Sequence, residues 1–138
     1  MTPAGADPKG ERARAHAEAL QRSRDHEAQQ ATALIERFVA DAGERGVPTT
    51  RLRARSYDGN ARYKTNIEGW YIRRDESIGI GTDGGYYVLS TPTSLAARFT
   101  GVTLRPSPPP LEVGRGSKDG ESLPLEEALR RVLERATD

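Results

Sequence analysis

The sequence predicts an α+β domain: an antiparallel β-sheet with an N-terminal helix, a short middle helix and a C-terminal helix packed on it. Three observations predict it. Apolar residues recur at helical spacing over residues 28–42 and again over 125–136. Between them, residues 49–114 alternate apolar and polar positions at the period of a strand, broken by turn residues.

From residue 8 to about 30 the chain is Arg, Glu, Gln, Ala and His with almost no apolar stripe. These are strong helix formers, yet a helix needs a buried face to hold it in water. Residues 1–30 are therefore read as a polar extension, helical or disordered, on a single α+β domain spanning 31–138. Ala28, Ala31, Ile35, Phe38 and Ala42 then recur at spacings of three and four, with Leu34 and Val39 beside them, and Gly43, Gly46 and Pro48 end the pattern. Traced backwards, the register meets Ala17, Gln21 and Arg24, which does not sustain a coiled coil.

The stretch "TTRLRARSY" alternates Arg51, Arg53 and Arg55 against Leu52 and Ala54, a half-buried strand with a basic outer face. "DGN" is a turn signal, and "IEGWYIRR" puts Trp70 and Ile72 on one face and Tyr71 on the other. "SIGIG" and "YYVLS" follow. A short helix is expected from about Ser94 to Phe99, capped by Thr93 or Thr91 and closed by Gly101. "VTL" and "LEV" read as short strands separated by "RPSPPP", whose prolines impose extended polyproline geometry. Leu125, Ala128, Leu129, Val132, Leu133 and Ala136 form the stripe of the last helix, with Ser122 as N-cap and Pro124 in its first turn.

Composition excludes several function classes. No cysteine is present, which removes disulfides, thiolate nucleophiles and cysteine metal sites. The first twenty residues lack the apolar core of a signal peptide, and no run reaches the length of a membrane span, so the expected location is the cytoplasm. Leu, Ile, Val and Phe number 24 of 138, and only Leu20 falls in the first thirty, so a modest core is built from the remainder. The excess of Arg over Lys, 18 to 3, is what a GC-rich bacterial genome produces.

"GIGTDG", residues 79–84, matches G-x-G-x-x-G. A dinucleotide loop needs those glycines between a strand and a helix, whereas here a strand follows, so the motif reads as a hairpin turn. Gly79 and Gly81 alternate with Ile78 and Ile80, which predicts a bare strand face for a helix of the same chain or a partner to pack against. "GRGSKDGES", 114–122, precedes a helix but departs from the P-loop in spacing and sets Glu121 where a phosphate-binding Lys would stand, so it reads as a loop. His16 and His26 lie ten apart in the polar extension with no supporting ligands, and Asp75 and Glu76 sit in a turn. No catalytic residue, metal ligand or cofactor site is expected, and the chain reads as non-enzymatic.

The most specific electrostatic feature lies within residues 47–74: seven cations against Asp58 and Glu68, interleaved with tyrosines and Trp70. Arg51, Arg53, Arg55, Tyr63, Trp70, Tyr71 and Arg73 are the candidate partner-binding residues. The expected partner is another protein, which makes the chain an adaptor, chaperone-like or regulatory protein, with dimerisation through the N-terminal helix as one form of it. The alternative is a nucleic-acid binder, with phosphates on the cations and bases on the rings. The element order over roughly residues 31–136 resembles that of small secretion-chaperone-like α+β domains, a likeness of fold that assigns no function.

Overall fold

A computed structural model describes residues 8–114 and 122–135. The order is α1 (Pro8–Arg45), β1 (Thr50–Ser56), β2 (Arg62–Tyr71), β3 (Ile78–Gly81), β4 (Tyr86–Val88), β5 (Ser90–Thr91), α2 (Ala97–Thr100), β6 (Glu112–Val113), β7 (Leu123–Pro124) and α3 (Leu125–Arg135). This is the expected α+β class.

Helix α1 is one element of 38 residues, about 57 Å long at 1.5 Å per residue. Its C-terminal half buries Ala31, Ile35, Phe38 and Ala42, as the stripe predicts. That docked half supplies the nucleus, and each residue added towards Pro8 gains a hydrogen bond without a new nucleation cost. Residues 11–26 are exposed along their whole length. Gly43 lies within the helix, and the stop falls at Gly46, whose φ of 66° lets Val47 N–H reach back to the Ala42 carbonyl at 2.9 Å.

The strand order is β4-β3-β2-β1-β5. Neighbours pair antiparallel except β1 and β5, which are parallel, so the sheet is mixed where pure antiparallel pairing was expected. The reason is a change of partner within one chain segment. β4 and β5 are separated only by Leu89, whose N–H donates to Ser77 and whose carbonyl accepts from Arg55 N–H. At that corner the chain leaves β3 and joins the free edge of β1, so the two margins of the sheet meet and it curls into a small barrel.

Inside the barrel pack Leu52, Ile67, Tyr87 and Leu89, with Tyr71 and Leu104 partly buried against them. Gly79 and Gly81 are bare because these side chains need the room. A Cβ on Gly79 would lie 2.6 Å from Leu52 Cδ1, and one on Gly81 3.1 Å from Ile67 Cγ2. The bare face is thus filled from within the sheet, where a helix or partner was expected. The opposite face of β2, β3 and β4 carries Trp70, Ile72, Ile80 and Tyr86 against α1 and α3, and this second cluster is the larger core. Trp70 meets Phe38 edge to face at 5.1 Å and donates its indole N–H to the Val47 carbonyl.

"GIGTDG" forms the β3–β4 hairpin. Gly84 has φ 86°, Gly81 and Gly85 exchange a backbone bond, and Asp83 accepts from Gly85 N–H and from the Tyr87 hydroxyl. "VTL" forms no strand of its own. Val102 N–H bonds the Lys64 carbonyl, and Leu104 N–H bonds the Asn66 side chain, which covers the edge of β2 that β3 leaves free. The proline segment then bridges Ser107 to Tyr86 and brings Leu111 N–H to Glu27 of α1. Leu123 and Pro124 pair with Val113 and Glu112, so α3 starts at Leu125, later than expected. Ser122 donates to Glu112 and does not cap the helix. Leu125, Ala128, Leu129 and Val132 are buried as predicted. Ala136, and most of the glycine-rich loop before α3, lie outside the described residues.

Candidate functional site

The helices cover only one side of the barrel. On the other, the outer faces of β1 and the first half of β2 are open to solvent. Strand alternation turns Leu52, Ala54 and Ser56 inward and Arg51, Arg53 and Arg55 outward, while Tyr63, Thr65 and Ile67 turn inward and Arg62 and Lys64 outward.

Register decides which outward residues meet. Arg53 faces Lys64 and Arg55 faces Arg62, so two successive cross-strand positions oppose cation to cation. Like charges directly opposite destabilise a sheet. Carboxylates guard only the ends of this ladder. Glu68 faces Arg51, with 3.6 Å between charged atoms, and Glu76 holds Arg62 at 2.8 Å. The hydrogen bond that Arg62 donates to Glu76 raises the Arg62 pKa. Among the described residues no carboxylate lies within ion-pair distance of Arg53, Arg55 or Lys64.

Between Arg51 and Arg53 the register slips, and Leu52 alone faces Thr65, Asn66 and Ile67. The Thr65 hydroxyl donates to the Leu52 carbonyl at 2.7 Å and closes the gap. The bulge ends just where Lys64 comes opposite Arg53, and it therefore sets the register of both cation pairs.

Beyond Arg55 the ladder runs into an apolar end. Tyr57, Leu95 and Phe99 are 70%, 76% and 86% exposed, the most exposed large apolar side chains among the described residues. Tyr57 N–H donates to the Thr91 carbonyl, which sets the turn after β1 beside the segment leading to α2. Asp58 accepts from the Ser56 hydroxyl and Asn60 N–H, which with Thr93 and the nearby Arg98 charge hold its carboxyl below the usual range. Ser94 N–H donates to the Tyr63 hydroxyl, and Ser94 Oγ accepts from the N–H of Ala97, the first residue of α2; the N-cap position is Ala96, not Thr93 or Thr91 as expected. Beside this end lies an open groove of about 590 Å³ whose walls include Arg55, Tyr57, Arg62, Asp75 and Glu76.

Of the seven predicted residues, Arg51, Arg53 and Arg55 share this face. Tyr63 and Trp70 do not: they are 2% and 6% exposed, and they act inside, Tyr63 by holding α2 and Trp70 by holding α1. Neither ring can stack on a ligand. The sequence reading erred because alternation alone does not say which face of a curled sheet is inside. Tyr71 is half-buried, and its hydroxyl accepts from Arg53 N–H at 2.9 Å across the seam of the barrel. Arg73 lies past β2 with an 11% exposed side chain near Asp75, in the turn that carries Glu76. Arg62, Lys64 and Tyr57 belong to the basic and aromatic stretch but not to the seven candidates, and Leu95, Phe99 and Glu76 lie outside it. The alternation of Arg62 and Lys64 with Tyr63 and Thr65 carried a signal for the first two. Nothing local marks the others.

Among the described residues no cluster of three or more His, Asp or Glu side chains could hold a metal ion. None of the described helices is long and apolar enough to cross a membrane. Comparison with protein-family models, with curated proteins and with solved structures found no match.

Proposed function

We propose that the chain is a non-enzymatic protein-binding adaptor of the chaperone-like or regulatory kind that acts in the cytoplasm and engages another protein through the open side of its barrel. The observation that carries this reading is the exposure of Tyr57, Leu95 and Phe99, each more than two-thirds exposed, on two segments that meet at one end of a charged strand face. Large apolar side chains left in water beside charge are the usual mark of a protein interface. Helix α1 supports the reading as a projecting arm and offers a second surface, for a further partner or a second copy.

A nucleic-acid reading draws on Arg53, Arg55 and Lys64, which have no carboxylate partner among the described residues. The burial of Tyr63 and Trp70 leaves it phosphate contacts without base stacking.

Affinity capture of the tagged protein from its host lysate, with and without nuclease, tests the two together. The adaptor reading expects a stoichiometric protein that survives nuclease and is lost with Leu95→Asp/Phe99→Asp. Capture that the double variant leaves unchanged, or recovery of nucleic acid in place of protein, contradicts it.

A further inference from the structure

From the cation ladder we infer that the partner presents an extended acidic segment ending in an apolar residue; this rests on the protein-binding reading above. Adjacent outward side chains on β1 are roughly 6.6 Å apart, at 3.3 Å per residue. Any extended peptide has the same period on one face, so carboxylates at alternate positions fall in register with Arg51, Arg53 and Arg55. The ladder already shows how it takes a carboxylate. Glu76 reaches Arg62 from the side at 2.8 Å, and Glu68 sits at the far end beside Arg51. The central cations, Arg53, Arg55 and Lys64, meet no carboxylate among the described residues and can take one from outside, and guanidinium forks suit that group.

Direction follows from the apolar end. Arg55 leads through Ser56 to Tyr57, whose N–H donates to the Thr91 carbonyl on the chain leading to α2. A segment lying along the ladder would place its acidic residues over the cations and its apolar residue against Tyr57. A nucleic-acid strand fits less well, because the rings that could take its bases are inside the protein.

The test is fluorescence anisotropy with the full chain and three labelled probes. One is a short peptide with Glu at alternate positions and a terminal Phe, the second replaces each Glu by Gln, and the third is single-stranded DNA of equal charge. The expected result is that the Glu peptide binds at least tenfold more tightly than either other probe and weakens several-fold at high salt. Arg53→Glu/Arg55→Glu and the milder Arg53→Gln/Arg55→Gln should each cost it tenfold or more. Equal binding of the Glu and Gln peptides overturns the acidic-segment inference and leaves the apolar interface standing. Tighter binding of the DNA overturns both, and no binding by any probe overturns the inference alone.

Discussion

Arg53 stands directly opposite Lys64 across the β1–β2 ladder, and neither has a carboxylate partner among the described residues. A fold selected for stability alone would set an acid at one of these positions. Replacing Lys64 by Glu should therefore raise stability by about 0.5–1 kcal/mol, the range of cross-strand pairs, while weakening binding of an acidic segment. Denaturant unfolding and peptide binding measured on the same variant check this. A loss of stability would mean that the pair is not repulsive in the folded protein.

Glu76 combines two features at the groove. Its φ of 59° is unusual for a residue with a side chain, and its carboxylate occupies Arg62. Glu76→Gly relieves roughly 1 kcal/mol of backbone strain and forfeits a surface ion pair of similar or smaller worth. The expected outcome is little change in melting temperature and a few-fold gain in affinity for an acidic peptide, read by calorimetry and anisotropy.

Two glycines should respond in opposite senses to alanine. At Gly69 a Cβ would fall 1.9 Å from the Ile80 carbonyl oxygen, which strand pairing fixes in place. Gly69→Ala should cost at least 3 kcal/mol or prevent folding, beyond the roughly 1–3 kcal/mol of ordinary overpacking. Gly43 lies in α1 with nothing near a Cβ, so Gly43→Ala should stabilise by about 1 kcal/mol through helix propensity. Urea unfolding of both variants checks the contrast.

Much of the fold was legible because local period reports burial directly. The stripes at Ile35 and Phe38, and at Leu125, Leu129 and Val132, identified the faces by which α1 and α3 dock. Asp83 and Gly84 identified the hairpin. Closure of the sheet was not legible, since it depends on a single corner at Leu89 that changes partners between distant strands. Tyr63 and Trp70 read as surface rings on a flat sheet; curling turns Tyr63 inward, whereas Trp70 is covered on the other face by α1 and α3. Arg51, Arg53 and Arg55 kept their place because β1 alternates cleanly, but the opposition of Arg53 to Lys64 and of Arg55 to Arg62 depends on a register that only the bulge at Thr65–Ile67 sets.

Tyr86 and Tyr87 link stability to alkaline pH. Burial is the main cause that pushes both hydroxyls up to about 12 from 10.0, helped at Tyr87 by its hydrogen bond to Asp83. A folded pKa above the unfolded one means that this stabilisation is complete below pH 10 and is lost as pH rises through 12. Unfolding free energy should accordingly be flat with respect to these groups up to about pH 10 and fall steeply above it. Tyr87→Phe should flatten part of that fall, as measured by denaturant titration at each pH.

The most direct measurement is a two-dimensional amide NMR titration of the full chain with the alternating-Glu peptide. An acidic segment seated on the β1–β2 face should shift Arg53, Arg55 and Lys64 together with Tyr57, and leave residues 11–26 of α1 unmoved. Shifts confined to α1, or none at saturating peptide, would contradict the assignment of this face as the binding surface.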